Sequence, residues 1–132
     1  MALHPAYFET RFQVQRVPER WPDPLVILSA YATTGQVWTP AQNDAADHRL
    51  AQWLRQHGLW HHRITGYSPS TGHAEPSWAF SLPLPDACQL GQRFQQDAMY
   101  YVEGDQLWVT HCDDRRALVP VGRFRQRLEL AP

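Results

Sequence analysis

The sequence predicts a single α+β domain, spanning residues 1–132, with a mixed sheet of about five strands and two helices packed on one face. A chain of 132 residues, 43% of them hydrophobic, has the size of one domain and can form a core without covalent cross-links. The predicted elements follow in the order strand, helix, two strands, helix, two strands. Helices covering one face of such a sheet form a stable layered arrangement.

The first strand and the first helix have the clearest patterns. Residues 25–30 are almost continuously apolar, which is typical of a central strand covered on both faces. An apolar stripe at helical spacing follows. Either Thr39, with Pro40 and Gln42 after it, or Asn43 can cap the start of that helix. The stripe consists of Ala46, Leu50, Trp53, Leu54 and His57.

The later elements are separated by turn-forming residues. Residues 66–76 hold two glycines and two prolines, so we expect an irregular loop between a strand before it and a strand after it. A second helix follows, in which Gly91 requires close packing to justify its lower helix propensity. Gly104 and Asp105 predict the tight turn of a hairpin. The core is expected over about residues 7–112, and residues 113–132 are either an edge strand or a loose arm.

The composition excludes several classes of function. All 12 basic residues are arginine, so there is no Schiff-base lysine and no lysine of a phosphate-binding loop. A net charge of −1 argues against nucleic acid or an anionic membrane as the partner. No long apolar run and no basic, apolar leader occur, so we expect a cytoplasmic protein. Cys88 and Cys112 are then expected to be reduced and buried.

Histidines and one acidic residue raise the question of a metal site. His73 and Glu75 match the first half of the zinc deaminase signature, but the P-C-x-x-C half is missing. His61 and His62 are adjacent in a predicted strand, so their side chains point to opposite faces and cannot share a site. We therefore expect neither a metal nor another cofactor.

Four polar residues at the ends of predicted elements form the candidate ligand-binding site. Strand ends and helix starts often meet at one rim of a sheet, where ligands bind. Pro76 favours an extended backbone at the acidic residue before it, which would fix the direction of that carboxylate. The alternative is that these residues are a helix cap and solvated side chains. The four residues are Tyr31, Asn43, Glu75 and Gln96.

Several stretches of this chain resemble a bacterial family, domain of unknown function 3293, over about residues 7–109. The family commonly has AYNP at residues 30–33 and FGQ at residues 94–96, so Ala32 and Gln95 replace an asparagine and a glycine here. The resemblance implies one bacterial domain and no particular activity. The stretches that carry it are VILSAYATTGQ, ITGYSPSTGHAEPSWAF and ACQLGQRFQQDAMYYVEGDQLWV.

Three functional hypotheses follow from the sequence. The first is a domain that binds a small polar ligand or a partner chain at the rim. The second is a hydrolase in which Glu75 is the general base, assisted by His73 or by a metal. The third is a protein-interaction module that uses a tryptophan-rich surface and has no pocket. The sequence thus leaves open whether the protein is an enzyme.

Overall fold

The computed structural model describes residues 3–33, 36–115 and 117–132. In these residues eight strands form one sheet, and two α-helices pack on one of its faces. The predicted α+β class is confirmed, with eight strands instead of about five. The strands are β1 (Arg11–Val14), β2 (Leu25–Leu28), β3 (His61–Tyr67), β4 (Ala74–Phe80), β5 (Ala98–Glu103), β6 (Gln106–His111), β7 (Val119–Arg123) and β8 (Leu128–Leu130), and the helices are α1 (Pro40–Gln56) and α2 (Leu84–Arg93).

The strand order is β7-β6-β5-β2-β4-β3-β1-β8. All neighbouring pairs are antiparallel except β1 and β8, so the sheet is mixed, as predicted. All four residues of β2 are buried, which confirms a central strand. Val26 and Leu28 belong to the core under the helices, whereas Leu25 and Ile27 belong to a second core on the opposite face. We call that opposite face the inner face.

Helix α1 begins with the first of the two predicted caps. The Thr39 side chain accepts a hydrogen bond from the Gln42 amide, and the Gln42 side chain accepts one from the Thr39 amide. Asn43 lies in the first turn, and its side chain has another partner. Gly58 ends the helix at φ +65°, a backbone conformation that glycine adopts readily. Neither described helix has the length and apolar character needed to cross a membrane.

Helix α2 packs closely on the sheet at Gly91. A Cβ atom at this position would lie 2.6 Å from the Cys112 Sγ, which explains the glycine. The helix ends in a Schellman motif, in which the Gln96 and Gln95 amides donate to the Gly91 and Gln92 carbonyls. Gln95 occupies the left-handed position of this motif at φ +59°.

The prediction of an irregular loop over residues 66–76 is wrong. β3 and β4 pair continuously from His61 opposite Phe80 to Tyr67 opposite Ala74, so the connecting loop contains only residues 68–73. Pro76 is tolerated in β4 because it lies beyond the last β2–β4 pair, where its missing N–H has no strand to donate to.

The C-terminal residues bring the two edges of the sheet towards each other. β7 and β8 are its two edges, yet only five peptide steps join Arg123 to Leu128, at most about 18 Å. Eight flat strands would separate the edges by about 34 Å, so the sheet must curl. Both strands of the tail, β7 and β8, are edges of the sheet, and β1 lies between β3 and β8. Phe124, between the edges, is buried in the inner core.

Candidate ligand-binding site

A cavity of about 490 Å³ opens on the inner face of the curled sheet. It lies where β2 and β3 end and where β4 and β5 begin. Side chains alternate along a strand, so residues two positions apart, such as Ile27 and Ser29 or Glu75 and Ser77, line it together. Its floor is formed by apolar and aromatic residues of the inner core, namely Phe12, Ile27, Ala98 and Tyr100.

Glu75 is half-buried and lines this cavity. Burial raises the pKa of the Glu75 carboxyl above its usual range, and a hydrogen bond from Ser29 together with the charge of His73 opposes that shift. The Ser29 Oγ also accepts a hydrogen bond of 3.0 Å from the Tyr31 amide, which leaves its own proton free to donate to the carboxylate. Ser77, two residues after Glu75 in β4, adds a second hydroxyl to the same wall.

Gln96 lines the cavity, and Asn43 lies behind its wall. The Gln96 side-chain amide donates to the Tyr31 carbonyl over 2.7 Å, and the Ala32 amide donates to the Asn43 Oδ1 over 2.9 Å. The start of α1 and the end of α2 thus hold residues 31–33 in place. Asn43 acts on the cavity only through this backbone.

The Tyr31 side chain does not line the cavity. β2 ends at Leu28 and the chain then bends, so the alternation that places Ile27 and Ser29 on the inner face does not continue to Tyr31. Its phenol lies towards α1, where burial, followed by the carboxylates of Asp44 and Asp47, raises the pKa of Tyr31. Of the four predicted residues, Glu75 and Gln96 share the cavity, while Tyr31 and Asn43 support it from the helical side.

The N-terminal segment covers the cavity. A 3₁₀ turn at Pro5–Phe8 precedes β1. The buried Tyr100 hydroxyl lies 3.0 Å from the Tyr7 carbonyl oxygen and 2.8 Å from the Thr10 Oγ1, and the Thr10 hydroxyl donates to the Ala6 carbonyl over 2.9 Å. Burial raises the pKa of Tyr100 well above its usual range, so its hydroxyl keeps the proton that these contacts need.

The loop between β3 and β4 forms the rim. Glu9 accepts hydrogen bonds from the Ser68 and Ser70 hydroxyls, which join this loop to the N-terminal segment. His73 lies on the rim with an exposed side chain and lines the mouth of the cavity. Among the described residues no group of three or more histidine, cysteine, aspartate or glutamate side chains is arranged to hold a metal ion.

A family model described as Protein of unknown function (DUF3293) matches residues 28–99, which is 72 of the 132 residues. The chain belongs to this family. The resemblance found in the sequence is thereby confirmed over a shorter span than expected. No curated protein and no solved structure gives a significant match.

The match covers the centre of the site in this DUF3293 protein. It includes Ser29, Glu75 and Gln96, and it stops just before Tyr100. The covering N-terminal segment lies outside it. The matched part therefore supplies the polar wall of the cavity, whereas this chain's own N-terminal residues supply its cover.

Sequence reasoning missed several cavity residues of the DUF3293 chain. Ser29 and Ser77 follow Ile27 and Glu75 by two positions, so strand alternation would have found them once the inner face was known. Tyr7 and Thr10 have no such signal, because they reach Tyr100 from about 90 positions away in the chain. The arrangement as a whole can surround a small molecule and present to it the Glu75 carboxylate together with several hydroxyl and amide groups.

Proposed function

We propose that this protein binds a small polar ligand in the inner-face cavity and that Glu75 is the group that recognises it. The observation that carries this proposal is a half-buried carboxyl inside a cavity of about 490 Å³. Sites for small molecules fall in the range of about 300–1,000 Å³ and combine mostly apolar walls with a few well-placed polar groups.

The cavity lining supports a ligand with a polar head and a short apolar body. Glu75, Ser29 and Ser77 lie on one wall, so the polar head would be held there. Ala6 and Tyr7, both half-buried, offer apolar surface, and the buried Phe12 and Ile27 form the floor beneath. A buried carboxyl costs stability unless something satisfies it, and a bound ligand would supply that partner.

A hydrolase is the second candidate. The raised pKa of Glu75 and the nearby His73 favour it, because a carboxyl shifted towards neutral pH suits proton transfer. The two candidates differ in the fate of the bound compound. A binding protein returns it unchanged, whereas a hydrolase cleaves an ester or amide at a rate that falls in Glu75→Gln.

The test is a ligand-observed NMR screen of small alcohols, amides and amines, followed by titration of each hit into two variants. Glu75→Gln keeps the size of the side chain and removes its charge, so we expect a folded protein whose hits bind at least tenfold more weakly, about 1.4 kcal/mol. Glu19→Gln, an exposed position outside the cavity, is the matched control and should bind as the parent does. Hits that bind Glu75→Gln unchanged would refute the proposal.

A further inference from the structure

We propose that the cavity is a site for cationic ligands and that its natural ligand carries a protonated amine facing Glu75. This inference rests on the proposed function and adds the chemical class of the ligand. Three features of the described residues support it: the charges on the cavity lining, the aromatic rings beside it, and the missing partner of the carboxyl.

The charges on the lining favour a cation. Glu75 is the only acidic side chain on the described lining, and no arginine lies there. The protein contains no lysine. Sites that recognise phosphate or carboxylate groups rely on arginine or lysine, so an anionic ligand would meet a carboxylate with little to offset it. The basic groups on the described lining are His4 and His73.

Among the described residues Glu75 forms no ion pair, and His73 acts on it only through its charge at the rim. The ion pairs of the described residues join Arg11 to Glu129, Arg63 to Asp47 and Arg115 to Asp113, and none reaches Glu75. Ser29 donates a hydrogen bond to it. A carboxylate has about four acceptor sites, so most of its capacity remains for an N–H donor of a ligand.

Aromatic rings complete the environment. The rings of Tyr7 and Tyr100 line the cavity with centroids 5.9 Å apart, and the fully buried Phe12 ring packs against Tyr100 with centroids 5.0 Å apart. Aromatic rings attract ammonium groups through their quadrupole and also cover an apolar ligand body. A carboxylate beside aromatic rings is a chemical environment that selects primary and secondary amines.

The experiment compares three probes of nearly equal size and different charge. Benzylamine is cationic at neutral pH, benzyl alcohol is neutral and benzoate is anionic. Each is titrated into the parent protein to about 10 mM, and the amide signals of Ser29, Ser77 and Gln96 are followed by NMR. We expect saturable shifts with benzylamine, affinity at least about tenfold weaker for benzyl alcohol, and no shift with benzoate.

The variants separate charge from shape. In Glu75→Gln the affinity for benzylamine should fall to that for benzyl alcohol, while Glu19→Gln should keep the parent's preference. Equal or tighter binding of benzyl alcohol or benzoate by the parent overturns the inference and leaves the proposed ligand site standing. If none of the three probes shifts the cavity signals, the inference is overturned and the proposed function loses its support as well.

Discussion

Glu75 is expected to reduce the stability of the unliganded protein. Its pKa is raised in the folded state, mainly by burial, so folding favours the protonated carboxyl. The unfolded chain ionises at the usual value near 4.5, and stability is therefore lost as the pH rises through that value towards the raised one. Glu75→Gln, which cannot ionise, should be more stable than the parent near neutral pH.

Chemical denaturation of the two proteins at several pH values measures this effect. The gap between them should be widest near pH 7 and should shrink below about pH 4.5, where both folded and unfolded carboxyls are protonated. A gap that is independent of pH would assign the difference to packing and not to ionisation. Such a cost is consistent with the proposed role of Glu75, because sites prepared for a ligand are commonly not optimised for stability.

Gln95 is a second residue at which the chain departs from its local optimum. Its φ of +59° is strained for a residue with a side chain and unstrained for glycine. Gln95→Gly should raise the free energy of unfolding by up to about 1 kcal/mol. Gln92→Gly, inside the same helix, is the control and should lower the free energy of unfolding by about 1 kcal/mol. If both variants lose the same stability, the backbone at Gln95 is not strained.

At the scale of elements, the sequence predicted the strands, helix starts and turns that neighbouring residues determine. The apolar run of β2, the Thr39 cap of α1 and the turn at Gly104 all depend on neighbours in the sequence, and the structure has them. The predicted stripe of α1 is present as far as Leu54, but His57, its last predicted member, is exposed and lies just after the helix. The extension of β3 and β4 over Gly66 and Pro76 was missed. Their turn-forming character is local, whereas the pairing that overrides it comes from the partner strand.

The central strand β2 gives the element-scale prediction. Ile27 is 2% exposed and belongs to the inner core, so Ile27→Ala leaves a void beside the cavity and should cost about 2–5 kcal/mol of stability. Val37 is 97% exposed, so Val37→Ala should change stability by less than about 0.5 kcal/mol. Denaturant titration of both variants is the measurement, and a loss below about 1 kcal/mol at Ile27 would contradict the packing of β2.

At the scale of the whole molecule, the site could be predicted only in part. Glu75 was found because a carboxyl between turn residues and a strand start is unusual in itself. Tyr31 and Asn43 were placed with it because the sequence does not distinguish the helical face from the inner face, and the cavity lies on the inner one. The curl of the sheet, which creates that face, depends on the last residues of the chain meeting the first.

The contact that joins the two edges of the curled sheet supplies the last prediction. The Arg127 guanidinium donates to the Phe8 and Thr10 carbonyls over 3.0 Å each and to the Val121 carbonyl over 3.3 Å, and so joins β7 to the segment that enters β1. Arg127→Met keeps much of the side-chain length and removes these charge-assisted bonds, so it should cost about 1–3 kcal/mol.

Hydrogen exchange locates that effect and separates it from a general loss of stability. Backbone amides that are hydrogen-bonded between β1 and β8 should exchange faster in Arg127→Met, because the contacts that hold the two edges of the sheet together are lost next to them. The amides of central strand β2 should exchange faster only to the extent that the whole protein is less stable. Arg125, exposed and two positions earlier, is the control: its backbone amide donates to Asp105, a contact that Arg125→Met retains. If these amides exchange equally fast in the two variants, packing around Phe124, and not the arginine, holds the two edges together.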